Sequence, residues 1–108
     1  MLTGPPPPVV QAVLAADGHV CVTISGDLDI TTGPELARQL ARLAELRPAA
    51  LCVDLSGVTF LDCASARLLA GTAALVPAGR PPLLTAVQPP VRRLLELLGL
   101  LTILRIAD

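Results

Sequence analysis

A chain of 108 residues with 53% hydrophobic content suits one domain with a well-supplied core. Its 8 basic residues, all Arg, against 9 acidic ones give a net charge of −1; with no basic stripe to track phosphates, and one Phe with no Trp or Tyr to stack on bases, the composition argues against a nucleic-acid partner. Cys21, Cys52 and Cys63 are odd in number and widely spaced, and His19 is the only histidine, which excludes the usual zinc patterns and most catalytic triads.

Residues 1–8, which end in four prolines, read as a flexible or polyproline leader, with a single domain over 9–108. The start has no charged or long apolar segment of the secretory kind. With the odd cysteine count, this places the chain in a reducing cytoplasm. No apolar run approaches the roughly 20 residues of a membrane helix, so direct membrane insertion is not expected.

Val9 to Ala16 is apolar and ends at Asp17-Gly18, a hairpin turn signal. Val20 to Ile24 supplies a partner strand rich in β-branched residues, so an antiparallel edge hairpin is predicted. Gly26 to Gly33 reads as a loop carrying Asp27 and Asp29. Both carboxylates point the same way if extended geometry continues. The plainer reading is a solvated loop with Asx-type turn bonds; the alternative is a partner contact. Thr32-Gly33-Pro34-Glu35 fits a capping box with Pro in the first turn. Leu36, Leu40, Leu43 and Ala44 share one helical face, Arg38, Arg42 and Glu45 take the other, and Pro48 ends the helix.

Leu51 to Leu55 predicts a central parallel strand buried on both faces. Asp62 fits an N-cap. The helix behind it runs from Cys63 to about Leu75, with Leu68, Leu69, Thr72 and Leu75 inward. Leu83 to Val87 is another strand. Pro89-Pro90 opens a third helix with Val91, Leu94, Leu95 and Leu98 inward, and Gly99 sits where a C′ glycine belongs. Leu101 to Ile106 is the last strand. The order β-β-α-β-α-β-α-β makes this an α/β fold. Its sheet is mixed, mostly parallel and five-stranded, with an N-terminal hairpin and three helices.

Neither G-x-G-x-x-G nor a Walker-type phosphate loop occurs, and there is no Lys. No catalytic residue, cofactor or metal is expected, and the lone His19 reads as structural. Asp62 lies where a strand gives way to a helix, at the carboxyl edge that usually carries function in open α/β sheets. A cap and a site role are compatible there. Cys63, at the same helix start, is the one reactive-looking group and carries the enzyme alternative, although inert thiols are far commoner.

Three blocks together resemble the STAS domains, and most closely their anti-sigma factor antagonist subgroup. They are Ile24-Ser25-Gly26-Asp27-Leu28-Asp29, the run Val53 to Asp62, and Pro89 to Leu95 with Leu98-Gly99-Leu100. The resemblance covers about residues 9–106. It implies a non-enzymatic, partner-switching regulator. Such antagonists bind an anti-sigma factor that is a serine kinase, freeing a sigma factor, and let go once the kinase phosphorylates them. The contact surface it implies is the loop with Asp27, Asp29, Thr31 and Thr32, plus the helix start with Asp62, Cys63, Ala64, Ser65 and Arg67. In the family the residues after this Asp typically read Ser-Ser-Gly-Leu, and the second Ser takes the phosphate. Here Ala64 holds that position and has no hydroxyl, which leaves Ser65, one residue on, as the alternative acceptor. The departure points either to a permanently competent antagonist or to a non-switching subunit or scaffold on a transport ATPase or signalling complex. Many relatives continue into a further helix after the last strand; without it, self-association as a homodimer is a further expectation.

Overall fold

The computed structural model describes residues 8–107. The turn at Asp17-Gly18 joins β1 (Val9–Leu14) to β2 (His19–Ser25). Gly18 sits at φ +87, where a side chain is strained. The Ala15 N–H donates to the His19 carbonyl at 2.8 Å, and the Asp17 carboxylate accepts from the His19 N–H at 3.0 Å. The two strands pair antiparallel, as expected.

Beyond β2 the chain alternates helix and strand: α1 (Gly33–Arg42), β3 (Ala50–Gly57), α2 (Cys63–Gly71), β4 (Leu83–Thr85), α3 (Pro89–Leu97) and β5 (Arg105–Ile106). The spatial order is β1-β2-β3-β4-β5, with every pair after the hairpin parallel. Three crossovers of one hand, all stepping in one direction, put every helix on the same face of the sheet.

The burial pattern follows from this. Val20, Val22, Ile24, Leu51, Val53, Leu55 and Leu84 of the sheet form one core with Leu36, Leu40, Leu69, Val91 and Leu95 of the helices. The alternate positions Cys21, Thr23, Cys52, Asp54 and Thr85 lie on the uncovered face and are exposed or half-buried. The expectation that β3 is buried on both faces is thereby corrected. An apolar five-residue run does not distinguish one covered face from two.

Smaller differences concern element ends. Both α1 and α2 tighten into 3-10 turns, at Leu43–Leu46 and Thr72–Leu75. Ala44, expected to face inward, is exposed. Gly99 ends α3 at φ +71 as predicted, but Leu100–Thr102 forms a 3-10 turn, so the last strand is only two residues long. Of the expected leader, residues 1–7 lie outside the described residues. Pro8 is buried, and its carbonyl accepts from Gln39 Nε2 at 3.0 Å. The Gln39 Oε1 accepts from the Val10 N–H at 3.1 Å. One side chain of α1 thus occupies part of the free edge of β1, where unpaired backbone groups invite pairing with another chain.

Candidate functional site

The carboxyl ends of β2 and β3 leave the sheet side by side. The register shifts between Thr23 and Ser25, and Gly57 lies opposite Ser25. A Cβ on Gly57 would fall 2.7 Å from the Ser25 Cβ, so this close approach requires glycine. The Gly26 N–H donates to the Gly57 carbonyl at 3.1 Å.

Past this point the strands' extensions meet again. Leu28 and Leu61 form an isolated parallel bridge, in which the Leu28 N–H donates to the Phe60 carbonyl at 3.1 Å and the Asp62 N–H donates to the Leu28 carbonyl at 2.9 Å. Both leucine side chains are buried. The loop carrying Asp27 and Asp29 is therefore stitched onto the segment that leads into α2. The two halves of the surface expected from sequence sit on one rim.

Within the loop the polar groups largely serve each other. The Asp29 carboxylate accepts from the Thr31 N–H at 2.9 Å, the Thr31 hydroxyl at 2.6 Å and the Thr32 N–H at 3.1 Å. The hydroxyl bond from Thr31, aided by the N–H groups of Thr32 and Thr31 and opposed by partial desolvation, holds this carboxyl below its ordinary value. Thr32 is 4% exposed. Its hydroxyl donates to the Asp27 carbonyl at 2.8 Å and accepts from the Asp29 N–H at 2.9 Å. This corrects the capping-box expectation: the Thr32 side chain makes no cap bond to α1, because its hydroxyl fastens the loop instead. Glu35 turns to Arg38 and to Gln39 Nε2 rather than back to the N-cap. Asp29 follows the Asx-turn reading, while Asp27 and Thr31 are exposed on the loop.

At α2 the expected cap forms, with Asp62 Oδ1 accepting from the Ser65 N–H at 2.7 Å. Cys63, Ala64 and Arg67 face outward. Ser65 is 1% exposed, and its hydroxyl has no partner among the described residues. That orientation is the reverse of what a phosphoacceptor needs. The position that does present its side chain, Ala64, offers only a methyl group.

The sequence reading missed the apolar part of the rim. Ile30 is 83% exposed beside Asp29, and Phe60 is 52% exposed beside the Leu28–Leu61 bridge. Phe60, Leu61, Val91, Leu94 and Leu97 line a shallow groove of about 270 Å³ between the lead-in to α2 and helix α3. The available signal was the placement of the chain's one Phe in a loop rather than in a strand. Apolar anchors with charges at their margin are the mixture found in protein interfaces. His19 lies at the opposite end of β2, exposed and paired with Asp17 at 3.0 Å.

The family model for the STAS domain matches residues 11–108. An anti-sigma factor antagonist from Mycobacterium paratuberculosis superposes with a TM-score of 0.81 at 28% identity, covering 99% of this chain and 91% of that one. The anti-sigma factor antagonist SpoIIAA in its unphosphorylated form shares the fold, with a TM-score of 0.74 at 19% identity over 93% of this chain and 89% of that one. A serine-to-glutamate variant of Moorella thermoacetica RsbS matches with a TM-score of 0.67 at 25% identity, over 91% of this chain and 85% of that one. No curated protein sequence matches the chain. Among the described residues, no helix is long and apolar enough to cross a membrane.

Proposed function

The chain belongs to the STAS domain family, and from that premise we propose that it is a non-enzymatic anti-sigma factor antagonist acting in the cytoplasm. Its partner is an anti-sigma factor of the serine-kinase type, and binding releases a sigma factor. Support comes from the 28%-identical relative, itself an anti-sigma factor antagonist. The observation that carries the reading is the Leu28–Leu61 bridge, which joins the acidic loop and the capped start of α2 into one continuous patch. Asp27, Thr31, Cys63, Ala64 and Arg67 form its outward surface; Asp29, Thr32 and Asp62 hold it in shape, and Ser65 is buried beneath it.

Ala64 sharpens the proposal. A phosphate adds about −1.5 to −2 charge, and inside a desolvated interface that charge drives the partners apart. With a methyl at the exposed position and Ser65 buried, this chain stays binding-competent in the presence of kinase and ATP. Ala64 equally favours the second reading, a non-switching subunit or scaffold whose rim docks on a transport ATPase or a larger signalling assembly.

Purified kinase-type anti-sigma factor from the same cell, mixed with the protein and ATP, separates these outcomes. The proposal expects a stable complex, no added phosphate by intact mass, and at least tenfold weaker binding for Asp27→Lys. Ala64→Ser is expected to gain one phosphate and to leave the complex. Absence of binding, with a transport ATPase recovered as the native partner, establishes the second reading instead.

A further inference from the structure

On the sheet face away from the helices, Cys21 of β2 and Cys52 of β3 are direct partners in the parallel register. Their neighbours Val20, Val22, Leu51 and Val53 point into the core, so both thiols project from the uncovered face. Both are free; Cys21 is exposed and Cys52 half-buried. Adjacent strands lie about 4.8 Å apart, which places registered Cα atoms inside the roughly 4.4–6.8 Å that a disulfide spans. The same spacing slightly exceeds the roughly 3.5–4.5 Å preferred between Cβ atoms, so a bond here draws the strands together under mild strain and is easily reduced.

We propose that Cys21 and Cys52 form a dithiol site that peroxide oxidises reversibly to a disulfide, stapling β2 to β3. The exposed sulfur meets the oxidant first. The Cys21 thiolate attacks one peroxide oxygen, the O–O bond breaks, and the departing hydroxide takes a proton to become water. Cys21 is then a sulfenic acid. The Cys52 sulfur, giving up its proton, attacks the Cys21 sulfur and expels the hydroxyl as a second water. Two thiols lose two electrons, and one peroxide becomes two waters.

The surroundings fit this division of roles. Burial pushes the Cys52 thiol up, the nearby Cys21 and the Asp54 carboxylate add to that, and a hydrogen bond with Thr85 opposes it. Cys52 is thus the sheltered partner, which leaves the exposed Cys21 to meet the oxidant. The proposal stands apart from the docking function, because the pair lies on the open face and not on the rim.

The test uses the full chain, folded, treated with hydrogen peroxide and then alkylated. Intact mass and peptide mapping read the result. The expected product has lost two of its three thiols and the mass of two hydrogens. It carries an internal Cys21–Cys52 link, keeps Cys63 alkylatable, and regains all three thiols with dithiothreitol. Cys52→Ser should stop at a Cys21 sulfenic acid captured by dimedone. The proposal is overturned if Cys21 and Cys52 are both still alkylated, if Cys21 goes to sulfinic acid while Cys52 stays free, or if links form only between molecules.

Discussion

Helices α1 and α2 begin at the same rim of the sheet with cap residues of the same class, Thr32 and Asp62, yet only Asp62 caps its helix. Thr32 spends its hydroxyl on the Asp27 carbonyl and the Asp29 N–H, leaving α1 without a side-chain cap. The difference tracks what precedes each helix. A lead-in held by the Leu28–Leu61 bridge delivers Asp62 in extended geometry, with its carboxylate free to reach the Ser65 N–H. The loop before α1 instead folds back on itself, and Thr32 is already in helical backbone geometry. A cap motif therefore reports a helix boundary, but not what its side chain does there.

Both helix starts rest on the Leu28–Leu61 bridge, so its loss should have the largest effect. Leu28 is fully buried, and Leu28→Ala is expected to cost about 2–5 kcal/mol. Urea unfolding measures it, and amide exchange should quicken in both the loop and the first turn of α2. Faster exchange in the loop alone contradicts the idea of one rim. Next, Thr32→Val keeps shape but orphans two backbone groups, for about 1–3 kcal/mol. If Thr32 were an ordinary helix cap, exchange would rise in α1; the loop network predicts that it rises at Asp27–Thr31. Asp62→Ala should cost about 1 kcal/mol, with fraying confined to the start of α2. Ser65→Ala is expected to be neutral within about 0.5 kcal/mol or slightly stabilising, because the hydroxyl it deletes is buried with no partner among the described residues. A loss above about 1 kcal/mol would contradict an unpartnered hydroxyl at this position.

The smallest effect is a titration. The hydrogen bonds from Thr31 and Thr32 lower the Asp29 carboxyl below 3.8 in the fold. A lowered carboxyl contributes order above its unfolded value and loses that contribution as pH falls through the folded one. Carboxyl NMR should place the Asp29 midpoint below 3.8, with the loop unchanged from neutral pH down to that region. Thr31→Val should move the midpoint back up. An unmoved midpoint in the variant would remove Thr31 as the main cause.

Much of the fold was legible because local signals agreed with one another. Asp17-Gly18 marked the hairpin, Asp62 the second helix, and Pro89-Pro90 with Gly99 the two ends of the third. What stayed hidden depends on contacts between distant segments. Cys52 and Asp54 look like interior strand positions until the sequential strand order leaves their face uncovered. Of the rim residues, the matched blocks contain Asp27, Asp29 and Asp62, but not the division of labour among them. The Asx-turn reading anticipated that Asp29 is held by its neighbours, but nothing local says that Thr32 fastens the loop instead of capping α1, that Ser65 turns inward, or that Ile30 and Phe60 stand out.

Amide NMR of the labelled protein, titrated with a kinase-type anti-sigma factor, shows whether one docking patch spans the two segments. Signals at 26–32 and 60–67 are expected to move together, while Cys21, Thr23 and Cys52 on the open face stay still. Movement confined to the open face, or no movement with a partner shown to be folded and active, contradicts a single patch.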